Sequence, residues 1–218
     1  MNNIAAVIFD MDGVIVHSNP THKTTINEFC TKYGLKVSDE ELREKVYGRT
    51  NQDWIPAVFG DITQEKLDEL ADEKEQMFRD VFDPNEHEVS GIIDFLDRLR
   101  DNDIKMVVAT SAPADNADHI LKGLGIEDYF DAVLNSSHVK KSKPDPEPYL
   151  KAAKAVDVSP KDCIVFEDSI SGVQSGLGAG AKVVGVATTH SHQELDACQL
   201  VVDDFDGLEI SEIEKLLQ

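Results

Sequence analysis

Short runs of apolar residues punctuate the chain at Ile4–Phe9, Lys105–Ala109, Cys163–Phe166, Lys182–Val186 and Leu200–Val202. They are rich in Val and Ile, and most lack the polar alternation of a strand with one wet face. Continuous apolar runs of this length predict strands covered on both sides. Between the later runs the spacing becomes that of a helix. Ile92, Phe95, Leu96 and Leu99 share one face, and so do Tyr149, Ala152, Ala153 and Val156. Strands alternating with helices predict right-handed β-α-β crossovers, hence an α/β fold with a parallel sheet and helices on both of its faces. Ligands of such sheets bind beyond the carboxyl ends of the strands.

One stretch departs from this rhythm. From Pro20 to Val81 no strand-like run occurs, and helical spacing dominates over Thr24–Tyr33, Asp39–Val46 and Gln64–Phe82. Ser38 followed by Glu41 has the spacing of a capping box. Turn-like segments, His17–Pro20 and Asp83–Ser90, flank the region. The pattern predicts a helical domain over residues 17–87, inserted into a core made of residues 1–16 and 88–218.

Composition narrows the role. Hydrophobic residues make up 41% of the 218, enough to fill a core, which excludes a disordered chain. There are 42 acids against 21 Lys and Arg, a formal net charge of −21. Such a surface repels nucleic-acid backbones and anionic lipid, so neither is expected as a partner. No apolar run approaches the roughly 20 residues of a membrane span. The start, MNNIAAVIFD, lacks the features of a secretory signal. Cys30, Cys163 and Cys198 are scattered and form no CxxC pair, which predicts reduced thiols and a cytoplasmic protein.

Chemistry gathers where the expected strands end. The first runs into Asp10-Met11-Asp12-Gly13. Extended residues two apart point the same way, so both carboxylates can face one site, and Gly13 permits a sharp turn. The next strand ends at Thr110-Ser111, where a hydroxyl and helix-start amides suit an anionic oxygen. A later strand ends at Glu167-Asp168-Ser169, and Lys143 lies between, held by Pro144 in a defined loop. Clustered acids repel unless neutralised, and a hard divalent cation such as Mg²⁺ with oxygen ligands resolves this. One carboxylate could then attack phosphorus while another protonates the leaving oxygen, with lysine and hydroxyl holding the equatorial oxygens.

Asp10-Met11-Asp12-Gly13-Val14, Thr110, Lys143-Pro144 and Glu167-Asp168-Ser169 resemble, in order, the motifs of the haloacid dehalogenase superfamily. The likeness covers essentially the whole chain and lies in the branch with β-phosphoglucomutase and small-molecule phosphatases. It implies a Rossmann-like core with an inserted α-helical cap that closes over it. Asp10 resembles the nucleophile and a metal ligand; Asp12, the general acid/base, also gives its main-chain carbonyl to Mg²⁺. Thr110, with Ser111 beside it, and Lys143 resemble the phosphate-binding groups, and Asp168 and Glu167 the remaining metal carboxylates. In the cap, the resemblance implies substrate roles for His22, the loop Gly48-Arg49-Thr50-Asn51, and Lys74. The mutases carry an arginine three residues after that glycine, where Asn51 stands here. The implied activity is Mg²⁺-dependent hydrolysis of a small phosphorylated metabolite, such as a sugar phosphate, by a monomer through an aspartyl-phosphate.

Other assignments compete. β-Phosphoglucomutase would return the phosphoryl group, converting β-glucose 1-phosphate to glucose 6-phosphate. A signalling receiver domain has its acceptor aspartate after a different strand and no cap; a non-catalytic phosphate-binding protein would not need Asp10, Asp12, Lys143 and Asp168 intact. A two-metal nuclease is disfavoured by the charge. Gly172, Gly176 and Gly180 lack the spacing of a phosphate loop and suggest close helix packing. His190-Ser191-His192 suggests a loop.

Overall fold

The computed structural model describes residues 4–38, 40–42, 46 and 50–218. The chain divides into two units, Met1–His17 with Pro84–Gln218, and Ser18–Asp83.

The first unit is built on a parallel sheet of β1 (Ala6–Phe9), β2 (Lys105–Ala109), β3 (Ala132–Leu134), β4 (Cys163–Glu167), β5 (Lys182–Val186) and β6 (Leu200–Val202), in the order β3-β2-β1-β4-β5-β6. Strand β3 was not expected; its three residues are too short a run to stand out, and it is held by pairing with β2. The order reverses at β1, which lies between β2 and β4, with Phe9 level with Val108 and Phe166. That switch point opens a crevice at the carboxyl ends of β1 and β4.

Both faces of the sheet are covered, as its unbroken apolar strands require. On one face Phe9 stacks on Phe166 at 5.3 Å between ring centroids and meets Phe95 edge-on. Phe95 belongs to α4 (Ile92–Asp101), whose buried stripe is Ile92, Phe95, Leu96 and Leu99. On the other face, Ala6, Ile8 and Val165 pack with Tyr149, Ala152 and Ala153 of α6 (Glu147–Ala155) and Val173 of α7 (Ile170–Ala179). The remaining helices of this unit are α5 (Ala114–Leu124) and the short α8 (Ile210–Glu214).

The second unit is helical. Its described helices are α1 (Asn19–Lys32), α2 (Asn51–Phe59) and α3 (Gln64–Val81), around Phe29, Leu42, Trp54, Ile55, Leu67 and Leu70. Helix α1 begins earlier than the sequence suggested, because Pro20 sits in its first turn, where a missing N–H costs nothing. Helix α2 was not expected at all, since it carries Pro56 in its interior. The Ser38–Glu41 capping box forms: Glu41 N donates to Ser38 Oγ at 3.2 Å, and Ser38 N to Glu41 Oε2 at 3.1 Å. The expected helix over Asp39–Val46 falls partly outside the described residues.

Candidate active site

The site grows out of the ends of β1 and β4. Asp10 follows the last residue of β1, and its N–H donates to Phe166 O of β4 at 3.0 Å, which ties the first loop to the neighbouring strand. The chain then turns back, with Gly13 N donating to Val16 O at 2.7 Å and Ile15 N to Met11 O at 2.8 Å. Gly13 takes φ 81°, a left-handed conformation that strains any residue with a Cβ. Asp12 lies half-buried in this turn.

Lys143 reaches the same place from the loop before α6. Its Nζ donates to Asp10 Oδ1 at 2.7 Å and to Glu167 Oε1 at 2.6 Å, and its side chain is 7% exposed. The loop is fastened on both sides of the lysine. Lys140 N and Lys141 N each donate to the Glu147 carboxylate at 3.0 Å, and Ser175 Oγ donates to Asp145 O at 2.6 Å. Glu167 is saturated with donors: Oε1 also accepts from Tyr149 OH at 2.7 Å, and Oε2 from Asp168 N, Ser169 N and Ser169 Oγ at 2.9–3.0 Å. A Cβ on Gly172 would lie 1.7 Å from Glu167 Oε1, so only glycine lets α7 start this close to the carboxylate. The close packing expected of this glycine is thus packing against an acid.

Carboxylate oxygens of Asp10, Glu167 and Asp168 lie within 4.8 Å of one another, and all three residues are buried. One buried lysine faces them, so the cluster is short of positive charge. Burial, with the charges of Glu167 and Asp12, pushes the Asp10 carboxyl up to about 7 against the opposing pull of Lys143. Burial and the charges of Glu167 and Asp10 push Asp168 well above the usual carboxylate range. Burial acts the same way on Glu167, but the charge and hydrogen bond of Lys143, together with the Tyr149 hydroxyl, outweigh it and hold this carboxyl low. Burial disfavours the Lys143 ammonium, yet Asp10 and Glu167 more than compensate, and its pKa rises. A buried set of hard oxygen donors that favours added positive charge fits a divalent cation such as Mg²⁺.

Thr110 is buried at the end of β2, beside β1, and its Oγ1 accepts from Ala112 N at 3.0 Å. That amide, two residues before α5, is therefore engaged locally. Ser111 is exposed.

Of the expected cap residues that are described, His22, Asn51 and Lys74 come together within the helical unit. Lys74, 3% exposed, donates to Glu75 Oε1 at 2.7 Å and lies 3.2 Å from His22 Nδ1. An ammonium only donates, so this His22 nitrogen is the acceptor and its ring proton sits on Nε2. His22 stacks on Phe78 at 3.8 Å. Asn51 Nδ2 donates to the same Glu75 oxygen at 2.7 Å, and Trp54 Nε1 donates to Asn51 Oδ1 at 2.8 Å. Thr50 is turned to Asp53, 2.7 Å away. Gly48 and Arg49 lie outside the described residues.

Sequence reasoning missed Tyr149, placed only on an apolar helix face, and Glu75, which follows Lys74. It also missed Thr188, Thr189 and His190 after β5. Thr188 Oγ1 donates to Gly13 O, the Thr189 side chain hydrogen-bonds the Asp168 carboxylate, and His190 Nδ1 lies 3.0 Å from Asp168 O. The local signal for Tyr149 was its hydroxyl on a stripe otherwise made of Ala and Val. His192 pairs with Asp203 at the surface, 2.9 Å away, as a loop residue should.

The sequence profile of the haloacid dehalogenase-like hydrolases matches residues 7–186. A phosphorylated carbohydrates phosphatase of Thermotoga maritima is 32% identical over 187 residues, covering 83% of this chain and 84% of that protein. A β-phosphoglucomutase of Bacillus subtilis is 33% identical over 190 residues, covering 83% and 82% respectively. Among solved structures, a haloacid dehalogenase hydrolase of family IA, variant 3, from Entamoeba histolytica superposes with a TM-score of 0.89 at 30% identity, covering 98% of this chain and 99% of that one. The chain belongs to the haloacid dehalogenase-like hydrolase family of enzymes.

Proposed function

We propose that the protein is a Mg²⁺-dependent phosphatase of a small phosphorylated metabolite, with sugar phosphates as the substrate class. The observation that carries this is the buried trio of acids around a single buried lysine at the switch point of the sheet. The phosphorylated-carbohydrate phosphatase among the relatives supports the substrate class.

Asp10 is the nucleophile. One of its oxygens bonds to phosphorus as the bond from phosphorus to the substrate's ester oxygen breaks. Asp12 gives its proton to that departing oxygen. In the second half, Asp12 takes a proton from water, the water oxygen bonds to phosphorus, and the phosphorus–oxygen bond to Asp10 breaks, releasing inorganic phosphate. Lys143 holds Asp10 in one orientation and offers its charge to the phosphoryl oxygens, while the Thr110 hydroxyl takes another of them. Asp10, Asp168 and the Asp12 carbonyl would hold the ion. Glu167 lies in the same trio, but its oxygens already accept from several donors, so its principal work is to hold Lys143. When bound, Mg²⁺ supplies the charge that offsets the acids and the phosphoryl oxygens. His22, Asn51 and Lys74, with Gly48, Arg49 and Thr50, supply the cap's share of substrate selection, and one chain carries every group required.

A mutase outcome is the second reading, because the β-phosphoglucomutase relative is as similar as the phosphatase. A panel of phosphorylated metabolites with Mg²⁺, including β-glucose 1-phosphate and pyrophosphate, tests both. Free phosphate from one or more sugar phosphates is the expected result. Glucose 6-phosphate formed from β-glucose 1-phosphate and a bisphosphate primer, without phosphate release, would replace the hydrolase by the mutase. No turnover of any ester would overturn both.

A further inference from the structure

Buried acids that repel one another do not stay together unless other contacts hold their loops. Asp10 and Asp168 belong to different loops, after β1 and after β4, and each raises the cost of ionising the site. Lys143 braces Asp10 to Glu167. The segment after β5 supplies a further brace, which reaches both loops. Thr188 Oγ1 donates to the carbonyl of Gly13, in the loop that carries Asp10 and Asp12. The next residue, Thr189, hydrogen-bonds the Asp168 carboxylate. His190 Nδ1 faces the Asp168 main-chain oxygen at 3.0 Å, and since that oxygen only accepts, the ring nitrogen donates.

The segment is itself anchored at both ends. Ala187 N donates to Val202 O of β6 at 2.8 Å, and Thr188 N to Val186 O at 2.9 Å, which makes the turn that brings the two threonines round. Beyond His190, Ser191 N and Oγ both donate to Glu194 Oε2, at 2.9 and 2.7 Å, and Leu195 is buried against Gly185. A short segment pinned on either side can hold its hydroxyls in place at little further entropic cost.

We infer that Thr188, Thr189 and His190 form a clamp that fixes the β1 and β4 loops at the spacing a divalent cation requires, with Thr189 a positioning residue for Asp168. This rests on the proposed metal-dependent reading. Neither threonine need touch substrate. Their effect is on the affinity of the metal, because a carboxylate held in one orientation gives up less freedom when it binds.

The test is Mg²⁺ affinity, measured without turnover. MgCl₂ is titrated calorimetrically into chelator-treated full-length protein in 0.1 M KCl, with Asp168→Asn as the blank for weak surface binding. Thr189→Val keeps the shape and removes the hydroxyl, and should weaken the dissociation constant by about 10-fold or more, the usual range for the hydrogen-bond partner of a metal ligand. Thr189→Ser should restore it to within about 3-fold of the wild type, well inside that range. Thr188→Val should weaken it as well, through the other loop. Equal affinities for wild type and Thr189→Val would overturn the clamp and leave the metal site standing, as would a fall in melting temperature with no change in affinity. Failure of the wild type to bind Mg²⁺ above the blank would overturn the metal reading and the clamp together. If Thr189→Val does not fold, the comparison of Thr188→Val with wild type decides.

Discussion

Two buried polar clusters among the described residues differ in how their charges balance. In the helical unit Lys74 meets Glu75 at 2.7 Å, one cation to one anion, with His22 and Asn51 satisfying what remains. In the α/β unit Lys143 meets Asp10 and Glu167, and Asp168 lies close by, so three acids share one cation. The first cluster is complete as it stands. The second favours partial protonation of its acids or positive charge supplied from outside. Burial alone does not mark a place for a cation; a buried imbalance of charge does, because it specifies what must be added.

The sharpest way to break the comparison is to remove the proposed nucleophile. Asp10→Asn keeps the shape and should abolish turnover, a loss of at least about 1,000-fold in kcat, since a group that forms the covalent bond has no substitute. It should fold, with a urea midpoint and melting temperature equal to those of wild type or higher, because it removes one of the repelling acids. Near-normal kcat in a phosphate-release assay would refute the assignment.

Next come the lysines. Lys74→Met should cost roughly 3–5 kcal/mol in urea unfolding, because it strands the buried Glu75 carboxylate. Lys143→Met strands acids too, but there saturating Mg²⁺ should return most of the lost stability, whereas it should return none in Lys74→Met. If Mg²⁺ rescues both variants or neither, the two clusters are not different in kind.

A smaller effect concerns the loop that presents Lys143. A hydrogen bond from Lys151, together with those from the Lys140 and Lys141 amides, pulls the Glu147 carboxyl down to about 2. A depressed carboxyl stabilises the fold above its ordinary range and loses that contribution as the pH falls through its folded value. Protection of the Lys140 and Lys141 amides from hydrogen exchange should therefore persist at pH 4 and fade toward pH 2. In Glu147→Gln it should be weak throughout, with a modest loss of kcat. Equal protection in the two proteins at pH 4 would remove Glu147 from the account of this loop.

The smallest expected effect is global. A chain carrying −21 repels an anionic substrate everywhere except at its site. At saturating Mg²⁺, raising the salt to about 0.1 M, where the Debye length is about 10 Å, should raise kcat/KM slightly. A steep fall would mean that distant acids do not govern approach.

What could be read from the sequence was whatever strand ends and motif spacing fix. Asp10 and the pair Glu167-Asp168 are far apart in the chain, yet each adjoins an apolar run, and a parallel sheet brings such ends to one edge; Lys143 adjoins none and was legible only through Pro144 and the order of the motifs. Residues whose partners come from another element could not be read this way. Tyr149 was correctly placed on a buried helix face, but its hydroxyl partner, Glu167, lies on β4. Thr188 and Thr189 carry no signal of their own in the sequence, because their partners are a carbonyl after β1 and a carboxylate after β4. Helix α2 was hidden by Pro56, and β3 by its brevity. In both cases tertiary packing overrides the local signal.

The place where the chain leaves the α/β unit and comes back has a consequence of its own. His17 N donates to His87 O at 2.7 Å, and Val89 N to Ile15 O at 2.9 Å, so exit and return run side by side as a short antiparallel pair. The ends of the inserted segment are thus already closed, whatever lies between them. Loop-closure entropy grows only with the logarithm of length, so a longer, shorter or different insert would add little to the cost of folding the sheet. Such a junction behaves as a socket: on the proposed function, selectivity could be exchanged as a module while the acids and Lys143 stay where β1 and β4 put them.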